Sequence, residues 1–455
     1  MKKIFQYIML AVVTIVMVSC TSDIEETTAT TGKSNVQLVV GEFPAFGDPQ
    51  TRAIGTPDAG KTSWTEGDEL LLEMTSKTLG TKYAAFTYNG SSWGLTSGEL
   101  SYKEDEVPTF PHAYYAPNYK WEAGKLVLKE GKVAGTDEYI EGKANITPNS
   151  EGINVSFADA TRNYSRLRIA TMPNKQITFD INKYTPAGSS KMEWFIKNYT
   201  LTSDEKGNAY LYGTFVPNSI VDVKYGGALL ATHHFLETTE NAKSYALDAT
   251  VISANSAEEI KSAIEQKVAD GKTIIRLNLA SDAGDNEFKA IREALKNVER
   301  GTIDLILIGC KEIPADGLSN EYGELMALKS ISLPDVTTLG KRALFDCVYL
   351  KTVNAPKVTA IDQLAFFHCQ SLKEVTLGTL TDVRGEANSG DGIFDGALSS
   401  FTDLYLPESQ EIMKGEFDNN SNQYIWKPTG EKYFASPDSD NGIFLGYQFM
   451  SVQSW

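Results

Sequence analysis

The sequence predicts a multidomain chain in which two all-β sandwich domains precede a small α/β segment and a short stack of repeats. Three observations carry that prediction. From Asn35 to about Thr250, short runs of Val, Ile, Phe, Tyr and Thr alternate with turn residues, which is the pattern of β-sandwiches. Between Val251 and Cys310 the apolar spacing twice switches to a helical period. Beyond residue 311 a strand motif recurs every 22 residues. The expected boundaries are 1–20 for an export signal, 21–34 for a tether, 35–147 and 148–250 for the sandwiches, 251–310 for the α/β segment, 311–407 for the repeats and 408–455 for a C-terminal cap.

Lys2 and Lys3 precede an apolar run from Ile4 to Val18 that ends in Ser19-Cys20. The run is shorter than the roughly 20 residues a helix needs to span hydrocarbon, so it reads as a lipoprotein signal with lipid on Cys20. Met17 stands where Leu is commoner in such a signal. Thr21 to about Ser34 carries almost no large apolar side chains and cannot offset its ordering entropy, which makes it a tether. Its acidic start resembles the signal that sends lipoproteins to the outer face of the outer membrane; an ordinary solvated linker is the alternative.

The net charge of -17 argues against nucleic acid or an anionic lipid surface as a partner, since either needs clustered Lys and Arg. Only Cys310, Cys347 and Cys369 remain once Cys20 is lipidated, too few for a disulfide scaffold. The clearest strands are Val36 to Phe43, Leu70 to Met74, Tyr83 to Tyr88, Leu126 to Leu128, Arg166 to Ala170 and Ala209 to Phe215. Asn89-Gly90 predicts a hairpin turn before Trp93. In Arg166-Leu167-Arg168-Ile169 the alternation predicts one wet face and one packed face.

Thr51-Arg52-Ala53, then Trp64-x-x-Gly67-Asp68, then Tyr114-Tyr115-Ala116-Pro117 together resemble the landmarks of fimbrillin-like proteins. The resemblance spans about half the chain and implies a secreted lipoprotein with two transthyretin-like sandwiches. In polymerising fimbrillins an N-terminal strand is lost by cleavage after an Arg, which implies Arg52 as the processing position and Val36 to Phe43 as the strand removed. A neighbouring subunit's strand then fills the vacated groove. Against that stands the roughly 200 residues that follow the second sandwich, because a carboxyl end leading into another domain is a poor donor. An accessory or tip subunit, or a stand-alone surface protein with Arg52 in an unprocessed loop, fits this arrangement better.

In the α/β segment, Ser256 with Glu259 forms a capping box, and Ile260, Ala263, Ile264 and Val268 share one helix face. A strand at Thr273 to Leu279, a helix near Glu287 to Val298 and a strand at Ile303 to Ile308 follow. Then Leu328-x-x-Ile331-x-Leu333, Leu350-x-x-Val353-x-Ala355 and Leu372-x-x-Val375-x-Leu377 recur at 22 residues, with Phe401-x-x-Leu404-x-Leu406 as a displaced fourth copy. Val336, Val358 and Leu380 repeat at the same period, as do Ala343-x-Phe345-x-Cys347 and Ala365-x-Phe367-x-Cys369. The pattern resembles the BspA-like class of leucine-rich repeats found on bacterial and protist surfaces. Cys347 and Cys369 should lie about 4.8 Å apart on neighbouring rungs, which permits a disulfide by distance alone, while paired buried thiols are the plainer reading.

Residues between the apolar rung positions should point outward: Ser330, Ser332, Thr352, Asn354, Glu374, Thr376, Asp403 and Tyr405. They form a polar strip able to hydrogen-bond a glycan or protein, or merely a solvated sheet face. No catalytic motif, phosphate loop or zinc helix is present in the sequence, and no cofactor or metal is expected. His233 and His234 are adjacent and so face opposite sides of a strand, and Asp438-Ser-Asp440-Asn-Gly442 has Phe449 where a calcium loop needs Glu. The expectation is a non-enzymatic, outer-membrane, lipid-anchored adhesion or recognition protein for a host or bacterial protein or glycan. A fimbrial tip or accessory subunit partnering other fimbrial subunits is the second reading. A glycan-capturing partner of an importer is the third, and it requires exposed aromatic platforms such as Trp93, Trp121 or Trp426.

Overall fold

The computed structural model describes residues 37–44, 46, 61–103, 106–146, 152–157, 162–320, 323–397, 402–435 and 442–455. Cys20, Arg52, Phe401, Asp438 and Asp440 fall outside these ranges, as do the expected signal and tether. The described chain is mostly β, arranged in several sheets, and none of its helices is long and apolar enough to cross a membrane.

The first unit holds β1 (Gln37–Val40), β2 (Glu69–Ser76), β3 (Gly80–Tyr88), β4 (Trp93–Gly98), β5 (Thr109–Tyr115), β6 (Tyr119–Glu122), β7 (Lys125–Leu128), β8 (Ile140–Ile146) and β9 (Gly152–Ser156). Seven of these strands form one sheet in the order β1-β9-β8-β5-β2-β3-β4, and β1 runs parallel to β9. This sheet therefore continues past the boundary expected at residue 148. Leu70, Leu71 and Leu72 are all buried because β2 is covered on both faces. Leu70 and Leu72 enter the main core, while Leu71 packs with Tyr114 and Tyr119 near the β6-β7 ribbon.

Trp64, Gly67, Asp68 and Tyr115 build one corner of this unit. Trp64 sits against Phe43, Trp93 and Tyr115 at ring separations of 4.8, 5.2 and 5.2 Å, and its indole N–H donates to Gly41 O at 2.8 Å. Gly67 takes φ +91°, the left-handed conformation that glycine adopts without a Cβ clash. The Asp68 carboxylate then accepts from Thr65 N, Lys61 Nζ and the Tyr115 hydroxyl. The Asn89-Gly90 turn is present as a four-residue connection, with the Asn89 side chain accepting from Ser91 N and Ser92 N.

The second unit holds β10 (Ser165–Ala170), β11 (Gln176–Pro186), β12 (Glu193–Thr202), β13 (Asn208–Phe215), β14 (Ser219–Tyr225), β15 (Ala228–Phe235) and β16 (Ser244–Asp248). The strand order is β15-β14-β11-β13-β10-β16, with β12 paired to the free flank of β11. The long β11 serves both layers: its first half pairs β14 and its end pairs β13. Tyr184, Phe215 and Phe235 stack through the core at 4.8 and 4.3 Å. The wet face expected for Arg166 is a correction: Arg166 is 1% exposed. Its guanidinium lies 4.5 Å from the Phe46 ring and bonds Ser244 Oγ at 3.1 Å, because the seam between the two units closes over this face.

That seam is held by a buried ion pair. Arg162 reaches Glu138 through Nε at 2.9 Å and Nη2 at 3.1 Å, the Tyr164 hydroxyl donates to the same carboxylate, and Phe46 lies between the Arg162 and Arg166 guanidiniums.

The third unit begins with β17 (Ile252–Ser253), α1 (Ala257–Ala269), β18 (Ile274–Asn278), α2 (Asp285–Leu295), β19 (Ile303–Ile308) and β20 (Glu312–Ile313). Ser256 Oγ accepts from Glu259 N, and the Glu259 carboxylate accepts from Asn255 N, one residue earlier than the ideal box. There follow β21 (Leu328–Ser332), β22 (Thr338–Leu339), β23 (Thr352–Ala355), β24 (Ala360–Ile361), β25 (Glu374–Leu377), β26 (Asp382–Arg384), β27 (Asp403–Leu406), β28 (Glu411–Asp418), β29 (Gln423–Lys432), β30 (Ile443–Phe444), β31 (Tyr447–Gln448) and β32 (Ser451–Ser454). One eight-stranded parallel sheet runs β17-β18-β19-β21-β23-β25-β27-β32, and a second runs β20-β22-β24-β26-β29-β28.

The 22-residue period is the register of both sheets: Ser330 pairs Thr352, which pairs Glu374, and Thr338 pairs Ala360, which pairs Asp382. The fourth copy is displaced because a longer turn precedes it. Asp395 gathers Asn388 N, Gly390 N, Gly392 N and the Tyr447 hydroxyl at 2.7–3.2 Å, tying that turn to the C-terminal hairpin.

Candidate functional site

The eight expected strip residues lie on β21, β23, β25 and β27, and the strand registers set them in two columns. Ser330, Thr352, Glu374 and Asp403 make one; Ser332, Asn354, Thr376 and Tyr405 make the other. β32 extends both columns with Ser451 and Gln453. Each rung buries the alternate side chains, Ile331, Val353, Val375 and Leu404, which fixes the polar ones on the opposite face.

Part of this face is covered. The turn between β14 and β15 lies on it: Asn354 Nδ2 donates to Gly227 O at 3.3 Å, and a Cβ at Gly226 would stand 2.8 Å from Pro334 Cβ. Arg276 Nε donates to Leu230 O at 2.6 Å, and Ile306 and Ile308 of β19 join the core of the second unit. Ser330 is engaged within the sheet, donating to Asp304 Oδ1 at 2.6 Å. The half of the strip away from the second unit comprises Glu374, Thr376, Asp403, Tyr405 and Gln453, with Glu374 and Gln453 exposed.

This half is acidic beside a row of lysines. Partial desolvation, then the Asp403 and Glu374 carboxylates, push the Tyr405 phenol above its ordinary range. Lys329, Lys351 and Lys373 repeat at 22 residues along the strand starts, their backbones linked by N–H to carbonyl bonds of 2.8 Å, and Lys329 pairs Asp304 at 3.1 Å. The lysine row was visible in the sequence at the same period as the leucines.

No family model or curated protein matches this chain.

Cys347 and Cys369 lie on adjacent rungs as buried free thiols, their Sγ atoms donating to Leu318 O and Leu344 O at 3.3 and 3.2 Å. Burial pushes the Cys369 thiol up to about 12. Burial and then His234 hold the His233 imidazole below its ordinary range, and among the described residues no cluster of metal-ligating side chains occurs.

Trp93, Trp121 and Trp426 are half-buried in aromatic packing and offer no open platform. The exposed tryptophans are Trp194 at 69% and Trp455 at 54%. Sequence reasoning passed over Trp194, although Glu193-Trp-Phe-Ile196 sets three apolar residues in a row where a half-buried strand should alternate. It also passed over a cavity of about 240 Å³ at the seam, lined in part by Tyr139, Glu141, Tyr164, Thr185 and Thr214. Its lining joins residues of both units.

Proposed function

We propose that this chain is a fimbrillin-like surface lipoprotein that binds a glycan or a protein through the open half of the repeat sheet, without catalysis. In this reading the first two units are transthyretin-like sandwiches, residues 251–310 are an α/β cap, and the later rungs are BspA-like leucine-rich repeats. Lipid on Cys20 anchors the protein to the outer membrane, facing outward. The observation that carries the proposal is the aligned pair of polar columns. A rigid parallel sheet holds hydroxyl, carboxylate and phenol groups at the strand spacing of about 4.8 Å, a lattice suited to an extended polar ligand. Glu374 and Thr376, flanked by Tyr405, are the residues assigned to contact it, with Tyr405 supplying a ring edge for apolar sugar or side-chain carbons.

The test is binding of the full chain to arrayed glycans and to host-cell matrix proteins, compared with Glu374→Ala/Tyr405→Ala. Loss of about ten-fold or more in affinity, with unchanged circular dichroism, supports the reading. Equal binding by parent and variant removes the strip as the site.

The second reading, a tip or accessory fimbrial subunit, is favoured by one feature: β1 is an edge strand paired only to β9 among the described residues, and Phe43 and Phe46 follow it into the core and the seam. Its test is the mature N-terminus on intact cells. Acylated Cys20 supports a permanent anchor, and a start at Ala53 supports strand removal and assembly.

A further inference from the structure

We infer that β12 is a self-association edge through which two copies of this chain pair antiparallel about a two-fold axis at Phe195. Among the described residues β12 hydrogen-bonds only β11, so its outer edge presents unpaired backbone groups. Natural edges of this kind are guarded by charge, proline or irregularity, and this one is guarded only in part. A bulge in which Lys197 and Asn198 both stand opposite Asp180, with Asn198 at φ +53°, ends the regular stretch and leaves Glu193–Ile196 in register with β11. Within that stretch Trp194 is 69% and Phe195 57% exposed, an unusual load of apolar surface for four residues.

The occupant is identified by the pattern of side chains from Glu193 to Lys197. Directly opposed residues in an antiparallel pair belong to a two-fold operation centred on one residue. With the axis at Phe195, Phe195 meets its own copy, Trp194 meets Ile196 of the second copy, and Glu193 meets Lys197, the first bulge residue, of the second copy. Both ends therefore carry an opposite-charge pair, while both faces carry apolar pairs. Shifting the axis one residue to Trp194 opposes Lys191 to Lys197, a like-charge contact. Ile196 is only half-buried against the second unit's core, so the incoming Trp194 extends that core. At present Lys197 lies 5.4 Å over its own Phe195 ring, and Glu193 is 3.7 Å from the exposed Lys191, positions both side chains leave at little cost. The pairing does not depend on what the repeat sheet binds.

A contact of this size gives a weak, reversible dimer rather than an obligate one. Sedimentation velocity of the full chain in a mild non-ionic detergent, over a concentration series, should show a monomer–dimer equilibrium. Lys197→Glu and Glu193→Lys should each weaken it about ten-fold or more, since each places like charges at both ends. The double exchange E193K/K197E should restore it, an outcome that non-specific stickiness or micelle sharing cannot produce. Phe195→Cys should form an intermolecular disulfide under copper phenanthroline and air, whereas Thr200→Cys, about 30 Å from its own copy in this register, should not. A parent chain that stays monomeric at every concentration, a double exchange that fails to restore association, or equal cross-linking at Thr200→Cys and Phe195→Cys would each overturn the inference.

Discussion

Replacing Arg162 by Met should destabilise the seam between the first two units by about 3–5 kcal/mol, the cost of leaving one member of a buried ion pair uncompensated. The side chains of Arg162 and Glu138 are 1% and 4% exposed, and two N–H donors of Arg162 meet the carboxylate at 2.9 and 3.1 Å. Met retains much of the apolar stem against Phe46, so the loss is electrostatic rather than a packing void. The Tyr164 hydroxyl then donates to a carboxylate held out of water without its guanidinium. Adding Glu138→Leu removes that charge and should recover at least about 2 kcal/mol, because the two substitutions share one interaction. Urea unfolding followed by tryptophan fluorescence reads the stability, and hydrogen exchange on β8 and β10 localises it. The reasoning fails if Arg162→Met costs less than about 1 kcal/mol, or if the double variant is no more stable than the single one.

Further expectations concern the other joints of the molecule. Burial pushes the Asp335 carboxyl up, but Lys357 at 2.9 Å and the Gly309 N–H at 3.1 Å together hold it below its usual range. A depressed folded value means stability present above the unfolded value and lost as pH falls through the folded one. Asp335→Asn should therefore cost about 1 kcal/mol near neutrality, with the gap to the parent closing below about pH 4 in a pH series of urea melts. Gly226→Ala, at φ +56° and against Pro334, should loosen the turn from the repeat sheet by about 1–2 kcal/mol and speed hydrogen exchange in β15 and β19. Cys310, Cys347 and Cys369 should resist maleimide in the native protein and react fully after denaturation, without prior reduction; a need for reductant would show a disulfide in place of the free thiols.

Local pattern and short-range chemistry were legible from residue order. The 22-residue period became the register of two sheets because equal chain lengths between equivalent apolar positions return each strand to the same place on its neighbour. The Ser256 cap, the Asn89-Gly90 turn and the runs around β2, β3, β10, β13 and β19 followed from side chains acting on their own backbone neighbourhood. The strip residues share the face opposite Ile331, Val353, Val375 and Leu404 for the same reason: alternation along a strand assigns faces without any knowledge of partners.

Which faces meet which was set only by the tertiary fold. Arg166 alternates like a surface residue yet is buried, because Phe46, Tyr210 and Ser244 arrive from distant parts of the chain. Asn354 reads as an open strip position, but a turn 127 residues earlier occupies its amide. Trp194 and Phe195 stand in solvent, since β12 lies on the outer flank of β11 with no further strand beside it among the described residues. Periodicity describes one element's environment on average; contacts between elements far apart in sequence depend on how whole sheets dock, and no local spacing encodes that.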